Sequence, residues 1–459
     1  MTAHTLRSKL LVPRSVEETF EFFARPENLG RITPDSMGFD LRSGDRDMRS
    51  GLEIEYRIKP VLGIPMTWRS RIENYDPPRS FEDIQTAGPY RSWHHRHSFA
   101  AVDGGTLVED EVTYSLPVGL LGNLANKLVV RHELEWIFQY REQAISAILE
   151  PAGINEHPLT VAVAGATGFV GGAIAAELRR RGHKVVALSH SGSDSRGWLP
   201  DDVEMREVDV SNGDGLPDAL HGVDALVIAL AFKNLPIEAP RRGQTFEKVD
   251  AKGTERLATA AREAGVKRLL YMSGAGAAPD ADRHWFRAKW RAETAIRATG
   301  IPYTILRPTW IYGPRDVSLN RFLGFARQLL SVPMTNFGRQ LLAPVFIDDI
   351  GRLAADSLTD DAATNQIFEI GGPENLRMDT IIRRAEDVAG LHRPLIPGPT
   401  PLIKLAAAMV AWLPAPPLTP DAVDFINQPA TVDNKPLLQR MPRRLTPLDE
   451  GLRTYLEPA

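Results

Sequence analysis

Gly165-Ala-Thr167-Gly168-Phe169-Val170-Gly171 follows an apolar run at 159–164 and opens a segment with helical spacing. That setting constrains the chain more than any other feature. The first glycine permits a tight turn, the second lets backbone approach a pyrophosphate, and the third lets helix pack on strand. The anion then sits at a helix N-terminus, where unpaired N–H groups and the dipole favour negative charge. Further apolar runs at 184–188, 203–208, 224–230, 267–273 and 302–307 read as strands. Helical segments near 169–181, 246–264 and 282–299 separate several of them. Such alternation predicts crossover connections and an α/β, doubly wound parallel sheet of the Rossmann kind. Past Tyr312 a helix near 318–331, a strand at 341–347, a helix from Asp349 and a strand at 366–370 predict a small C-terminal substrate or lid region.

The first 150 residues read differently. Ser15-Val16-Glu17-Glu18 is a capping box, predicting a helix over 16–24 that buries Val16, Phe20 and Phe23. Alternating stretches follow at Leu52–Ile58, Met66–Ile72, Trp93–Phe99 and Val108–Tyr114, the last two joined by the Asp103-Gly104-Gly105 turn. A helix over 128–149 places Leu134, Ile137, Phe138, Ile145 and Ile148 on one face. Antiparallel strands closed by a long amphipathic helix make an α+β layer. Pro151 to Pro158 is rich in breakers. The expected division is therefore 1–152, a linker at 153–158, and 159–459.

Composition removes several functions. The chain of 459 residues has 54 basic and 58 acidic side chains, a net of −4, which gives no nucleic-acid footprint. With no cysteine there is no disulfide, thiol nucleophile or Cys-ligated metal. No run of about 18 apolar residues exists to span a membrane, and no signal peptide is legible, so a cytoplasmic protein is expected.

NAD enzymes usually carry a carboxylate about 20 residues past the glycines, on the ribose hydroxyls. Here stand Ser189, His190 and Ser191, then Arg196. These groups suit a 2′-phosphate, so NADP(H) is expected in preference to NAD(H), although Arg196 also reads as a solvated loop residue.

The segment from 158 onward resembles the short-chain dehydrogenase/reductase superfamily in its extended or atypical branch. The resemblance rests on GATGFVG, on Val208-Asp209-Val210, on Val249-Asp250-Ala-Lys-Gly253-Thr254, and on Leu306-Arg307-Pro308-Thr-Trp-Ile-Tyr312-Gly313-Pro314. It implies a nucleotide site at Gly165, Thr167, Gly168, Phe169, Val170, Gly171, Ser189, His190, Arg196, Asp209, Val210, Ala229, Leu230, Ala231, Lys289 and Pro308. The family's proton relay is a Tyr-x-x-x-Lys pair, in which lysine holds the nicotinamide ribose and lowers the tyrosine pKa. Lys289 is in place, and Ser273 is the candidate for the family serine, with Ala275 fitting a shifted alignment. Trp285 stands where the tyrosine belongs, and an indole N–H cannot titrate. This departure resembles an atypical subgroup related to a complex I accessory subunit. If another group supplies the proton, His284 and Tyr312 are the candidates, although His284 also reads as an exposed helix-start histidine.

The first 150 residues resemble the START-like helix-grip (SRPBCC) family, in the branch of polyketide cyclases and coenzyme-Q-binding proteins. Val12-Pro13-Arg-Ser15, Trp68-Arg-Ser-Arg-Ile72, Pro78-Arg-Ser-Phe81-Glu-Asp83, Gly88-Pro89-Tyr90 and Phe138-Gln-Tyr140-Arg141 carry the resemblance. It implies an apolar pocket for a small hydrophobic ligand. His94, His95 and His97 share a strand with no acidic residue, so a polar strand face or pocket lining is expected and no metal. The apolar stretch 402–413 is expected to be a core or lid helix over the cleft, with membrane-surface contact the lesser reading.

The reading that follows is an NAD(P)(H)-binding oxidoreductase or epimerase-like protein with a small-molecule substrate in its C-terminal cleft and a fused hydrophobic-ligand domain. The alternatives are a non-catalytic NADP(H)-binding assembly or sensor protein and a lipid or quinone carrier.

Overall fold

The computed structural model describes residues 3–59, 64–117, 126–190, 196–213, 215–232, 236–329, 331–412 and 419–457. Ser191 and Leu413 lie outside the described residues. Near the N-terminus the capping box forms: Ser15 Oγ accepts from Glu18 N and the Glu18 carboxylate accepts from Ser15 N, each at 3.2 Å. The helix Val16–Phe23 so started buries Phe20, Phe22 and Phe23.

Seven strands make the first sheet: β1 (His4–Val12), β2 (Asp40–Leu41), β3 (Glu53–Ile58), β4 (Met66–Asp76), β5 (Ser80–Ala87), β6 (Ser92–Val102) and β7 (Gly105–Ser115). Their order is β1-β7-β6-β5-β4-β3-β2, antiparallel throughout. Strict alternation in β6 buries Trp93, His95, His97 and Phe99. In β7 it buries Thr106, Val108, Asp110, Val112 and Tyr114. The helix Arg131–Leu149 supplies Leu134, Phe138, Arg141, Ile145 and Ile148 to the buried layer. Aromatic rings fill this layer. Phe20, Phe23, Phe81 and Phe99 meet edge to face or stacked, and Trp68, Tyr90, Trp93 and Tyr114 form a second group.

The second sheet is parallel. Its strands are β8 (Thr160–Ala164), β9 (Lys184–Ser189), β10 (Glu204–Glu207), β11 (Ala225–Ile228), β12 (Arg268–Met272), β13 (Tyr303–Pro308) and β14 (Gln366–Ile370), in the order β10-β9-β8-β11-β12-β13-β14. Strand order reverses at β8, which lies between β9 and β11, and ligands bind outside the carboxyl ends of strands at such a point. Val161, Val163, Leu226 and Val227 are fully buried, each contributing roughly 1.5–3 kcal/mol of hydrophobic stabilisation.

The two sheets are tied by polar contacts. Arg31 donates to Gly197 O at 3.1 Å, Leu199 O at 2.6 Å and Asp201 at 2.7 Å, gripping the loop after β9. Arg327 and Gln328 both donate to Glu133. A cleft of about 540 Å³ lies between the Arg131–Leu149 and Phe169–Arg180 helices.

Three expectations are corrected. The strand read over 341–347 is two short pieces, Leu341–Leu342 and Val345–Phe346, because Pro344 has no N–H to continue a ladder. The helix after it begins at Ile347. The apolar helix Thr400–Val410 is not a core helix: Leu402, Leu405, Met409 and, just beyond it, Trp412 are 60–80% exposed. Lys404 pairs with Asp424 at 2.9 Å and shares the docked face with Ile403 and the buried Ala407, while the larger apolar side chains Leu402, Leu405 and Met409 face outward.

Candidate functional site

The glycine turn has the geometry its spacing implies. Gly165 has φ +88°, and a Cβ there would stand 2.4 Å from Ala229 O. A Cβ on Gly171 would stand 2.2 Å from Gly165 O, so helix and strand are as close as backbone permits. At Gly168 the nearest described atom to an added Cβ is Gly165 O at 3.2 Å, leaving room above the turn. Gly168 caps the Phe169–Arg180 helix, whose first N–H groups point where a phosphate would sit.

Around this turn the carboxyl ends of the parallel strands gather the nominated residues. Ser189 ends β9, with His190 next. Ala229, Leu230 and Ala231 follow β11, and Ser273 follows β12. Pro308 ends β13 and accepts from Ala275 N at 2.9 Å. Asp209 accepts from Ser211 N at 2.7 Å, and the Ser211 hydroxyl together with that N–H holds its carboxyl below the usual range. Val210 packs on Gly253, its Cγ2 3.3 Å from where a Cβ would be. Arg196 donates to Pro200 O at 3.2 Å and Val203 O at 2.9 Å, so its guanidinium braces its own loop.

Sequence reasoning missed Arg315. Its guanidinium donates to Thr167 O at 3.1 Å and Gly168 O at 3.4 Å, and lies 5.3 Å from the Trp198 ring. It pins the glycine turn from a loop far along the chain. The signal in hand was the position of Arg315 directly after Tyr312-Gly313-Pro314.

Lys289 lies on the helix His284–Ala298, which faces the β12 end. Its ammonium is 2.6 Å from Asp250 Oδ1 and donates to Met272 O at 3.1 Å, with the Tyr271 ring centroid 5.4 Å away. Asp250 comes from a π-helical stretch, Phe246–Gly253, a geometry often found at functional sites. Burial opposes the Lys289 charge, but Asp250 and Tyr271 together outweigh it and raise the lysine's pKa. Burial raises the Asp250 pKa, and Lys289 offsets only part of that.

Trp285 is buried among aromatic rings: Phe425 at 5.4 Å, Phe286 at 5.9 Å and Phe246 at 6.2 Å. Its Nε1 has no hydrogen-bond partner among the described residues. Where the family relay has a phenol, this site has an apolar wall.

Ser273 Oγ donates to Glu293 at 2.6 Å, and Arg307 grips the same carboxylate in bidentate fashion at 2.8 and 2.7 Å. The hydroxyl is thus committed to a buried ion pair. Both candidates for a substitute proton donor have hydrogen-bond partners of their own, and the His284 ring lies 5.2 Å from that of Trp285. His284 pairs with Glu238 at 3.0 Å, and the buried Tyr312 hydroxyl donates to Leu448 O at 3.3 Å.

An NAD(P)H-binding family model matches residues 165–323, the span from the glycine turn past β13 and into the helix Val317–Gln328. The C-terminal part of the chain has the Rossmann-like α/β fold of NAD(P)-binding domains. It is 28% identical over 220 residues to the 40 kDa subunit of NADH-ubiquinone oxidoreductase of Neurospora crassa, covering 47% of this chain and 56% of that protein. It is 30% identical over 236 residues to the divinyl chlorophyllide a 8-vinyl-reductase of Zea mays, covering 47% and 55%. The chain thus spans about half the length of these curated relatives. The NAD complex of UDP-glucose 4-epimerase from Thermus thermophilus has the same fold, with a TM-score of 0.51 at 19% identity over 65% of this chain and 98% of that one. No helix among the described residues is long and apolar enough to cross a membrane.

Proposed function

We propose that the protein is an NAD(P)(H)-dependent oxidoreductase that holds its cofactor on the Gly165–Gly171 turn and reduces a hydrophobic or ring-bearing small molecule without a tyrosine relay. The observation that carries this reading is the open space above Gly168 at a helix N-terminus, beside the switch point of the sheet. The cofactor, when bound, supplies hydride. The chain's own groups bind and orient: backbone N–H groups of the turn take the pyrophosphate, and Arg315 fixes the turn from behind. Lys289 stands at the ribose position with its charge balanced by Asp250. Trp285, Phe246 and Phe425 form an apolar wall that suits a flat, ring-bearing acceptor. NADP(H) is the preferred cofactor because His190 stands where NAD enzymes carry a carboxylate.

Trp285 favours a second reading, in which the domain binds nucleotide without turnover as an assembly or sensor element. The similarity to a respiratory-complex subunit supports it, and the similarity to a vinyl-reductase supports the first. We divide the chain at 153–158 and read residues 1–152 as a START-like helix-grip module for a hydrophobic ligand. An antiparallel sheet closed by one long helix supports that reading.

Calorimetry with NADPH and NADH, followed by NADPH oxidation with quinone, enone and aldehyde panels, tests the proposal. Saturable NADPH binding with turnover of any acceptor supports the oxidoreductase. Binding without turnover leaves the second reading, and no binding of either nucleotide overturns both.

A further inference from the structure

His95 and His97 face inward from β6, and each neighbouring strand sets a carboxylate against them: Asp83 from β5 and Asp110 from β7. His95 Nδ1 and His97 Nε2 both stand 3.3 Å from Asp83 Oδ2. The remaining ring nitrogens, His95 Nε2 and His97 Nδ1, stand 3.0 and 2.6 Å from Asp110 Oδ1. Two imidazoles are thus sandwiched between two carboxylates, with one nitrogen of each ring on each side. Arg141, from the long helix, lies 3.6 Å from the same Asp110 oxygen. On the far side Ser70 Oγ donates to Asp83 Oδ1 at 3.4 Å and accepts from Trp68 Nε1 at 3.0 Å, which turns Oδ2 toward the histidines.

The two sides of this arrangement differ in kind. Imidazoles that ligate a metal through one nitrogen donate the other N–H to a carboxylate, which fixes tautomer and ring orientation. Asp110 is placed to accept both outer N–H groups, and Arg141 holds Asp110. On the inner side a carboxylate oxygen and two ring nitrogens converge. Ligand atoms about 2.0–2.1 Å from one tetrahedral ion stand about 3.3–3.4 Å apart, and two of the three inner separations are 3.3 Å. Asp83, His95 and His97 each offer a ligand atom within 4.8 Å of the others.

Charge balance agrees. With both rings neutral, one nitrogen of each ring lacks a proton; Arg141 Nη2, 3.3 Å from His97 Nδ1, can donate to one of these, and the His95 one is left facing a carboxylate oxygen. Two imidazoliums, two carboxylates and Arg141 sum to +1. One divalent cation with two neutral rings, two carboxylates and Arg141 also sums to +1. A divalent ion therefore replaces two protons at no net charge, in a place where His95, His97 and Asp110 are at most 5% exposed. Asp83, with a side chain 19% exposed, leaves a path for the ion.

We propose that Asp83, His95 and His97 bind one divalent transition metal of the zinc, cobalt or ferrous-iron class, with Asp110 as the shared acceptor of their outer N–H groups. Two histidines and one carboxylate leave a coordination position open for water or a ligand oxygen, as in sites that do chemistry rather than brace a fold. The stretch of sequence holding the histidines carries no acid, so this pairing exists only across the strands.

The test uses the full chain, stripped with a chelator and titrated with Co2+ while ligand-field absorption is read. One Co2+ per chain, displaced by Zn2+, is expected. Asp83→Asn and His97→Gln should abolish the bands, Asp110→Asn should weaken affinity about 10–100-fold with stoichiometry kept, and His94→Gln should change nothing. His94 is the control because it is half exposed and pairs with Glu82 instead. If the site variants fail to fold, the wild type still decides: Zn2+ should raise its melting temperature and a chelator should reverse the rise. Absent bands and an unmoved melting temperature in the wild type would overturn the proposal. So would equal Co2+ affinity in folded Asp83→Asn, or loss of the bands in His94→Gln.

Discussion

Asp250 Oδ1 lies 2.6 Å from Lys289 Nζ, so the lysine we assign to the nicotinamide ribose is already half of a buried ion pair. Removing one partner leaves an uncompensated charge. Asp250→Ala should lower unfolding free energy by about 3–5 kcal/mol in denaturant titration. Asp250→Asn keeps an acceptor oxygen and should cost less. An Asp250→Ala protein as stable as the wild type would mean the pair is not formed.

Gly168→Val separates folding from cofactor binding. Its φ of −81° suits any residue, and the only described atom within 4 Å of an added Cβ is Gly165 O at 3.2 Å, a tight contact that a small shift relieves. The variant should keep its melting temperature and lose about 10–100-fold in NADPH affinity by calorimetry, the worth of one or two charge-assisted hydrogen bonds. Gly171→Val, with backbone oxygen 2.2 Å from its Cβ, should fail to fold.

Glu133 and Arg327 join the two sheets while buried, at 3.1 Å, and Arg327 also covers Trp136 at 4.2 Å. Glu133→Ala should destabilise by about 3–5 kcal/mol, since Arg327 keeps its charge without its partner. A double-mutant cycle with Arg327→Met should show strong coupling. Additive losses would mean the sheets are not held through this pair.

Stability should fall as pH rises through the weakly acidic range because of Asp316. This carboxylate caps the Val317–Gln328 helix, accepting from Ser318 N and Leu319 N, yet burial pushes its pKa up to about 6. A carboxyl raised in the folded state favours folding while it is protonated. Its contribution is complete below the unfolded value near 3.9 and is lost as pH climbs through about 6, a change of about 2–3 kcal/mol. Asp316→Asn keeps the capping oxygen without the titration. Unfolding midpoints from pH 4 to 7 should slope less in that variant, and identical slopes would contradict the assignment.

What the sequence made legible was local. The glycine turn, the period-2 burial of Trp93 to Phe99 and the Trp285–Lys289 spacing are all read within one element, and each matches the structure. What it hid depends on distant partners. Asp250 was visible as a departure from asparagine, but its ion pair with Lys289 spans 39 positions. Arg315 reaches the turn from 147 residues away, and Asp83 and Asp110 meet the histidines only through strand register. Strands β1 and β5 escaped notice because polar residues stand on their inward faces, His4 and Ser8 in β1 and Asp83 and Gln85 in β5, so no clean apolar alternation marks them. The helix Thr400–Val410 looked like core by composition, yet hydrophobicity along a chain does not say whether anything packs on it.

The measurement closest to the central claim is NADPH oxidation by the wild type and by Trp285→Tyr, with the same activated carbonyl and the same cofactor saturation. The account holds that the cofactor site is intact and that the phenol of the usual relay is absent. General acid–base help is commonly worth ~10²–10⁴-fold. Trp285→Tyr puts a phenol one helical turn from Lys289, and should raise turnover at least about tenfold while NADPH affinity stays within about twofold. A wild type that already turns over rapidly and is slowed by Trp285→Tyr would contradict the account, and would make Trp285 part of a different working site.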